Sequence, residues 1–157
     1  MDRQEFETRV RGCTAALWRC AWAMLGNEAD CADAVQEALL RAWQKRHTLR
    51  KMQYFETWLM RILINQGRSL LRSRGRMLPS ELPDRPAPED GLSVELRDAL
   101  ARLPLRLRLS FLLRYIGGYS IAEIAQMQQI SASTARRRVE AARSSLRAAL
   151  GEEEKNG

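Results

Sequence analysis

The stretch SASTARRRVEAARSSL, Ser131–Leu146, decides how the rest of the chain is read. Ala135, Val139, Ala142, Leu146 and then Ala149 recur at steps of four, three, four and three, which is one apolar stripe of an α-helix. Ser131 is in position to cap its start. Arg136, Arg137 and Arg138 then fall in the opening turns, where a helix already carries partial positive charge. Without an anion, each cation there costs a few tenths of a kcal/mol. At about 100° per residue, Ser133, Arg137, Glu140 and Ser144 point away from the stripe, with Arg136 on one shoulder and Arg138 on the other. Such a helix can lay its outer face in a DNA major groove while its shoulders meet the phosphate walls. The phosphates then supply the missing negative charge. Arg and Glu on the outer face suit guanine and cytosine edges. A solvated basic face is the competing use, and three early arginines weigh against it.

Upstream, Ser120–Met127 reads as a short helix with Ser120 as cap and Ile121, Ile124 and Ala125 on one apolar side. Gln128–Ile130 connects it to the arginine helix. A short helix, a tight turn and a longer helix form the helix-turn-helix pattern. Before it, helical spacing runs over Val94–Leu103 and Leu105–Ile116. Pro104 divides the two, because the residue before proline resists the α region. Gly117 and Gly118 end the second.

The chain has 157 residues and a net charge of +7, dominated by arginine. The charge is segregated: residues 1–75 carry net +5, 76–93 net −2, 94–150 net +6 and 151–157 net −2. Two basic blocks flank an acidic connector, MLPSELPDRPAPEDGL (Met77–Leu92), which holds four of the five prolines and no apolar periodicity. That composition reads as an extended, mobile linker. The expected organisation is all-α: a helical domain over 1–76, a linker over 77–93, a helix-turn-helix domain over 94–150 and a tail over 151–157.

In the first block, helices are expected over Arg3–Leu25, stopped by Gly26-Asn27, over Asp30–Arg46 and over Phe55–Arg74, with a loop at His47–Tyr54. Val35, Leu39, Ala42 and Trp43 make the buried stripe of the second helix. Asp33, Gln36, Glu37 and Gln44 share another face, and Leu40 stands among them as a candidate protein-contact anchor. On the third helix Trp58, Leu59, Ile62, Leu63 and Leu70 form the core side. Arg61, Asn65, Arg68 and Arg72 form a basic stripe suited to a nucleic-acid strand.

DAVQEALLRAW (Asp33–Trp43), followed by FETWLMRILIN (Phe55–Asn65), resembles region 2 of bacterial RNA polymerase sigma factors. LARLPLRLRLSFLLRYIGGYSIAEIAQMQQISASTARRRVEAARSSL (Leu100–Leu146) is similar to region 4. The two blocks, in this order with a short linker, resemble the extracytoplasmic-function (ECF) group. The resemblance implies a factor that binds polymerase core and directs promoter recognition, melting and transcription initiation. It implies that Asp33, Gln36, Glu37, Leu40 and Gln44 dock on the clamp helices of the largest subunit. Arg50, Lys51 and Tyr54, in the loop over about Leu49–Tyr54, would join Arg61, Asn65, Arg68 and Arg72 in handling the opened minus-ten element, with a flipped base pocketed at the loop. Ser133, Thr134, Arg136, Arg137, Arg138, Glu140 and Arg143 would contact the minus-thirty-five element. Leu105–Ile116 would help bind the polymerase flap, and the linker would pass near the active-site cleft and RNA exit path. An anti-sigma factor, often membrane-anchored in this group, is the implied regulator. The sequence departs from the family at Gln129 and Ser133, where Gly is frequent, and at Arg137, where Ser is frequent. These departures bear on the turn and on the promoter sequence read.

Other classes have less to stand on. A stand-alone helix-turn-helix regulator would explain the C-terminal block, but the N-terminal block shows no ligand-pocket signature. One histidine, no metal spacing, no Gly-rich phosphate loop and no nucleophile constellation leave no basis for an enzyme or a cofactor. Cys13, Cys20 and Cys31 form no CxxC pair and read as thiols in or near a helical core. No signal-peptide pattern appears, and no apolar run approaches the ~18 residues that cross a bilayer. A reduced, cytoplasmic protein with no direct membrane insertion is expected.

Overall fold

The computed structural model describes residues 1–73 and 91–156. The described residues form seven α-helices and no strand, divided between two compact units. The expected linker, apart from residues 91–93, and residue 157 of the tail lie outside them.

The first unit packs three helices: α1 (Arg3–Leu25), α2 (Glu28–Gln44) and α3 (Phe55–Ser73). Asp2 caps α1, its Oδ1 accepting from the Glu5 N–H at 2.8 Å. Gly26 ends that helix in the left-handed region (φ 73°), its N–H returning to the Trp22 carbonyl at 2.9 Å. The next residue, Asn27, caps α2. Asn27 Oδ1 accepts from the Asp30 N–H at 2.9 Å, while Asn27 Nδ2 donates to the Asp30 carboxylate at 2.6 Å. The second helix therefore begins at Glu28, two residues before the expected Asp30, because the residue that follows one helix stop also serves as the next cap.

The core differs in detail from the stripe expected on α2. The deeply buried residues are Cys31, Ala34, Ala38 and Ala42; Val35, Leu39 and Trp43 are half-buried on its flank. Small side chains at the centre let α1 and α3 approach closely, and the larger ones close the edges. On α3, Trp58, Leu59 and Leu63 are buried as expected, whereas Ile62 and Leu70 are only half-buried. Met60, Ile64 and Gly67 complete the buried face instead. A Cβ at Gly67 would lie 2.7 Å from Met24 Cε, so any larger residue there would push the end of the Met24 side chain aside.

The second unit contains α4 (Val94–Ala101), α5 (Leu105–Tyr115), α6 (Ile121–Gln128) as far as Ala125, and α7 (Ala132–Asn156); residues 126–129 group with the first unit. Ser93 caps α4 through the Leu96 N–H at 3.2 Å. α4 and α5 both lie against α7, burying Ala99, Leu100 and Leu146 with Leu96, Leu103, Phe111, Leu112 and Ala149 around them. Gly118 takes φ 73° in the bend after α5. A reciprocal cap opens α6: the Ser120 N–H donates to Glu123 Oε1 at 3.0 Å, and the Glu123 N–H to Ser120 Oγ at 3.1 Å. α7 runs past the expected end at Leu150, because Gly151 stays helical and no stop follows before Asn156.

Candidate nucleic-acid interface

The arginine helix is built as its spacing requires. Ser131 Oγ accepts from the Thr134 N–H at 3.1 Å, capping α7. Ala135, Val139, Ala142 and Leu146 are buried, which fixes the helix rotation. Ser133, Arg136, Arg137, Glu140 and Arg143 are consequently exposed, and Thr134 and Arg138 sit half-buried at the edges. Arg137 Nη2 donates to Thr134 Oγ1 at 3.1 Å, and Ser131 Oγ donates to the same Thr134 oxygen at 2.9 Å. This run of hydroxyls holds one corner of the Arg137 guanidinium and leaves its remaining N–H groups facing outward. Burial lowers the pKa of Arg138, and the Arg106 and Arg137 guanidiniums nearby lower it further. No ion pair to Arg136, Arg137 or Arg143 occurs among the described residues, so these three guanidiniums are available to an external anion.

The turn before α7 carries the backbone cost anticipated from the missing glycine. Gln129 has φ 57°, the single non-glycine residue with positive φ among those described. A left-handed conformation there costs an L-residue about 1 kcal/mol or more.

In the first unit the chain between α2 and α3 is more ordered than a plain loop. Two 3₁₀ turns, Arg46–Thr48 and Met52–Tyr54, lead into α3. Arg46 lies over the Trp43 ring at 3.7 Å and donates to the Trp43 carbonyl at 2.8 Å, so α2 stops at Gln44 rather than at Arg46. Trp58 Nε1 donates to Thr48 Oγ1 at 3.3 Å, and Thr48 Oγ1 to the Lys45 carbonyl at 2.7 Å. Arg50, Lys51, Tyr54 and Arg61 share a surface hollow with Thr48, Leu49, Thr57 and Trp58. Tyr54 is 47% exposed at its rim. Asn65, Arg68 and Arg72 continue along α3 beyond it. The sequence alone does not mark Thr48 or Trp58 for this site. Trp58 reads as core because its ring is buried, and only its indole N–H, aimed at the loop, ties it to the hollow.

On α2, Asp33, Gln36, Leu40 and Gln44 are exposed on one side, with Leu40 51% exposed. Glu37, on the same side, is half-buried and pairs with Arg41 at 3.2 Å. Cys13, Cys20 and Cys31 are free and buried. Burial raises their pKa values to about 11, 12 and 12 respectively. No group of three or more candidate metal ligands exists among the described residues, and no described helix is long and apolar enough to cross a membrane.

Comparison with known proteins agrees with this layout. Residues 10–77 match the family model for sigma-70 region 2, and residues 93–146 match that for sigma-70 region 4. The chain is 33% identical over 137 residues to the ECF RNA polymerase sigma-E factor of Escherichia coli K12, covering 74% of this chain and 72% of that protein. It is 31% identical over 151 residues to the ECF sigma factor SigE of Mycolicibacterium smegmatis, covering 88% and 58%. Among solved structures, it resembles the sigma factor RpoE of Bartonella quintana, crystallised with the anti-sigma factor NepR, with TM-score 0.80 and 25% identity over 94% of this chain and 98% of that one. It also resembles CnrH in complex with the cytosolic domain of CnrY, with TM-score 0.72 and 26% identity over 96% and 90%. Two matched regions in order, on two helical units each presenting cationic side chains, make this chain a member of the sigma-70 family of transcription initiation factors, in its extracytoplasmic-function group.

Proposed function

We propose that this protein is the promoter-specificity subunit of a bacterial RNA polymerase. It binds the polymerase core in the cytoplasm, recognises promoter DNA, assists its melting and starts transcription. The observation that carries this reading is the ordered pair of sigma regions, each on a helical unit that presents exposed arginines. Catalysis belongs to the polymerase core. A stand-alone regulator would have no use for the region 2 unit.

Roles are assigned by fit. Leu40, with Asp33, Gln36, Glu37 and Gln44, docks on the clamp helices of the largest subunit, because an exposed leucine ringed by polar groups is the form of a contact anchor. Arg50, Lys51, Tyr54 and Arg61 receive the opened minus-ten strand, supported by Asn65, Arg68 and Arg72: the hollow offers a ring for stacking and cations for the backbone. Arg136, Arg137 and Glu140 read the minus-thirty-five bases, with Ser133, Thr134, Arg138 and Arg143 placed for phosphates and groove walls. The boundaries 1–76, 77–93 and 94–150 separate these tasks, and α5 assists docking on the flap. An anti-sigma factor is the expected inhibitor, since the Bartonella quintana relative was captured with one.

The test is reconstitution. Core polymerase plus this protein should initiate at a defined set of promoters from a genomic library. If the protein does not bind core, and adds no start sites to those of core alone, the reading is wrong.

A further inference from the structure

In the hollow beside Tyr54, the hydrogen-bonding sense of Thr48 is set by the fold. Thr48 Oγ1 accepts from Trp58 Nε1 at 3.3 Å and donates to the Lys45 carbonyl at 2.7 Å. An indole nitrogen only donates and a carbonyl only accepts, so the single hydroxyl proton of Thr48 points at Lys45. The Thr48 N–H donates to the same carbonyl at 2.8 Å, which ties backbone and side chain of this residue to one atom. Trp58 is held in turn: its ring is buried and packs on Phe55 at 5.8 Å. With its proton and one lone pair committed, Thr48 Oγ1 keeps one lone pair. Thr48 is exposed and lines the hollow, so what its side chain offers a ligand there is an acceptor.

The other polar groups of the hollow have a different character. Arg50, Lys51 and Arg61 only donate, and suit a strand backbone. The Tyr54 and Thr57 hydroxyls can each donate or accept. A base taken out of the stack is read along its Watson–Crick edge. On that edge cytosine and adenine present an amino group, N4 or N6, where thymine and guanine present a carbonyl oxygen, O4 or O6. An amino group can donate to the free lone pair of Thr48. A carbonyl in the same place would face that lone pair, or would have to break the bond to Lys45.

We propose that the Thr48 hydroxyl selects the unpaired base taken into this hollow, favouring one that presents an exocyclic amino group over one that presents a carbonyl. This rests on the reading of the hollow as the receiver of the opened minus-ten strand. It adds the residue that chooses the base and the chemical group that is chosen.

The experiment uses polymerase holoenzyme reconstituted with wild-type protein, Thr48→Val or Thr48→Ser. Each is bound to a promoter fragment whose non-template minus-ten segment is left single-stranded. Every position of that segment is substituted in turn, cytosine against uracil and adenine against hypoxanthine. Each pair exchanges the amino group for a carbonyl, with the matching change at the adjacent ring nitrogen, and adds no methyl. At one position the carbonyl base should weaken wild-type binding by about tenfold. Thr48→Val, similar in shape without the hydroxyl, should bind both bases about equally there, and Thr48→Ser should keep the preference. If wild type prefers the amino base at no position, or if Thr48→Val keeps the preference in full, the proposal is overturned. A preference for the carbonyl base overturns it as well. In each of those outcomes the parent reading survives, because wild-type holoenzyme still binds the open segment. Holoenzyme that does not bind the single-stranded segment at all would bring both down.

Discussion

The first unit packs its core around rings and sulfur, the second around leucine and alanine. In the first, Phe6 meets Trp43 edge-on at 5.3 Å and Phe55 at 5.9 Å, and Phe55 meets Trp58 at 5.8 Å. Cys13, Cys20, Cys31, Met24 and Met60 are buried in the same unit. In the second, the described aromatic contact is Phe111 with Tyr115 at 4.7 Å, and Tyr115 is 47% exposed. The difference follows the substrates proposed for each. An unpaired strand presents ring faces, so the ring cluster that stabilises α1–α3 continues through Trp58 to the hollow beneath Tyr54. Duplex DNA presents edges and phosphates, so α7 needs a thin apolar back and a stiff cationic front.

The largest effect should come from the core of the first unit. Leu59 is fully buried. Leu59→Ala should cost about 2–5 kcal/mol of stability. Hydrogen exchange should show protection lost mainly across α1–α3; equal loss across α4–α7 would mean the two cores do not behave separately.

Next come the recognition residues. Arg137→Ala should reduce discrimination at the minus-thirty-five element by about 1–3 kcal/mol while core binding is unchanged. Leu40→Asp should impair core binding and leave the thermal midpoint near that of the wild type. Equal effects of both changes in both assays would remove the division of labour between the units.

A smaller effect is expected at the turn. Gln129→Gly relieves the left-handed conformation but loosens the unfolded chain, so a net gain of about 0.5 kcal/mol is expected from chemical denaturation. A loss there would show that the Gln129 side chain stabilises the turn by more than its backbone costs.

The smallest effect, within ordinary buffers, is alkaline. All three thiols lie in the first unit, with pKa values raised by burial from 9.0 to about 11–12. Folding therefore favours their neutral form. The contribution is complete below pH 9 and is lost as pH rises toward the folded-state values. The first unit should begin to weaken near pH 9 and the cysteine-free second unit should not, by this mechanism. Rapid thiol labelling of the native protein at pH 8 would contradict it.

Much of this was legible in the sequence, for identifiable reasons. The α7 stripe, the caps Ser120 and Ser131, the exposed Leu40 and the strained turn at Gln129 each follow from local spacing or from one residue's backbone limits. What was not legible depends on partners distant in sequence. Ala34, Ala38 and Ala42 carry little apolar signal, yet they lie at the centre of the α2 contact because two helices converge there. Gly67 looks like a helix weakness until Met24 is found against it. Thr48 becomes a site residue only because Trp58 reaches it with its indole N–H.

The central claim is that one chain engages two stretches of a single DNA molecule, one as duplex and one opened. Footprinting combined with permanganate probing of thymines, on one promoter bound by the reconstituted holoenzyme, tests it directly. Protection over the minus-thirty-five duplex together with unpaired thymines in the minus-ten segment is the expected result. Protein bound to a single duplex site, with the same footprint whether or not core polymerase is present and no reactive thymines, would contradict it.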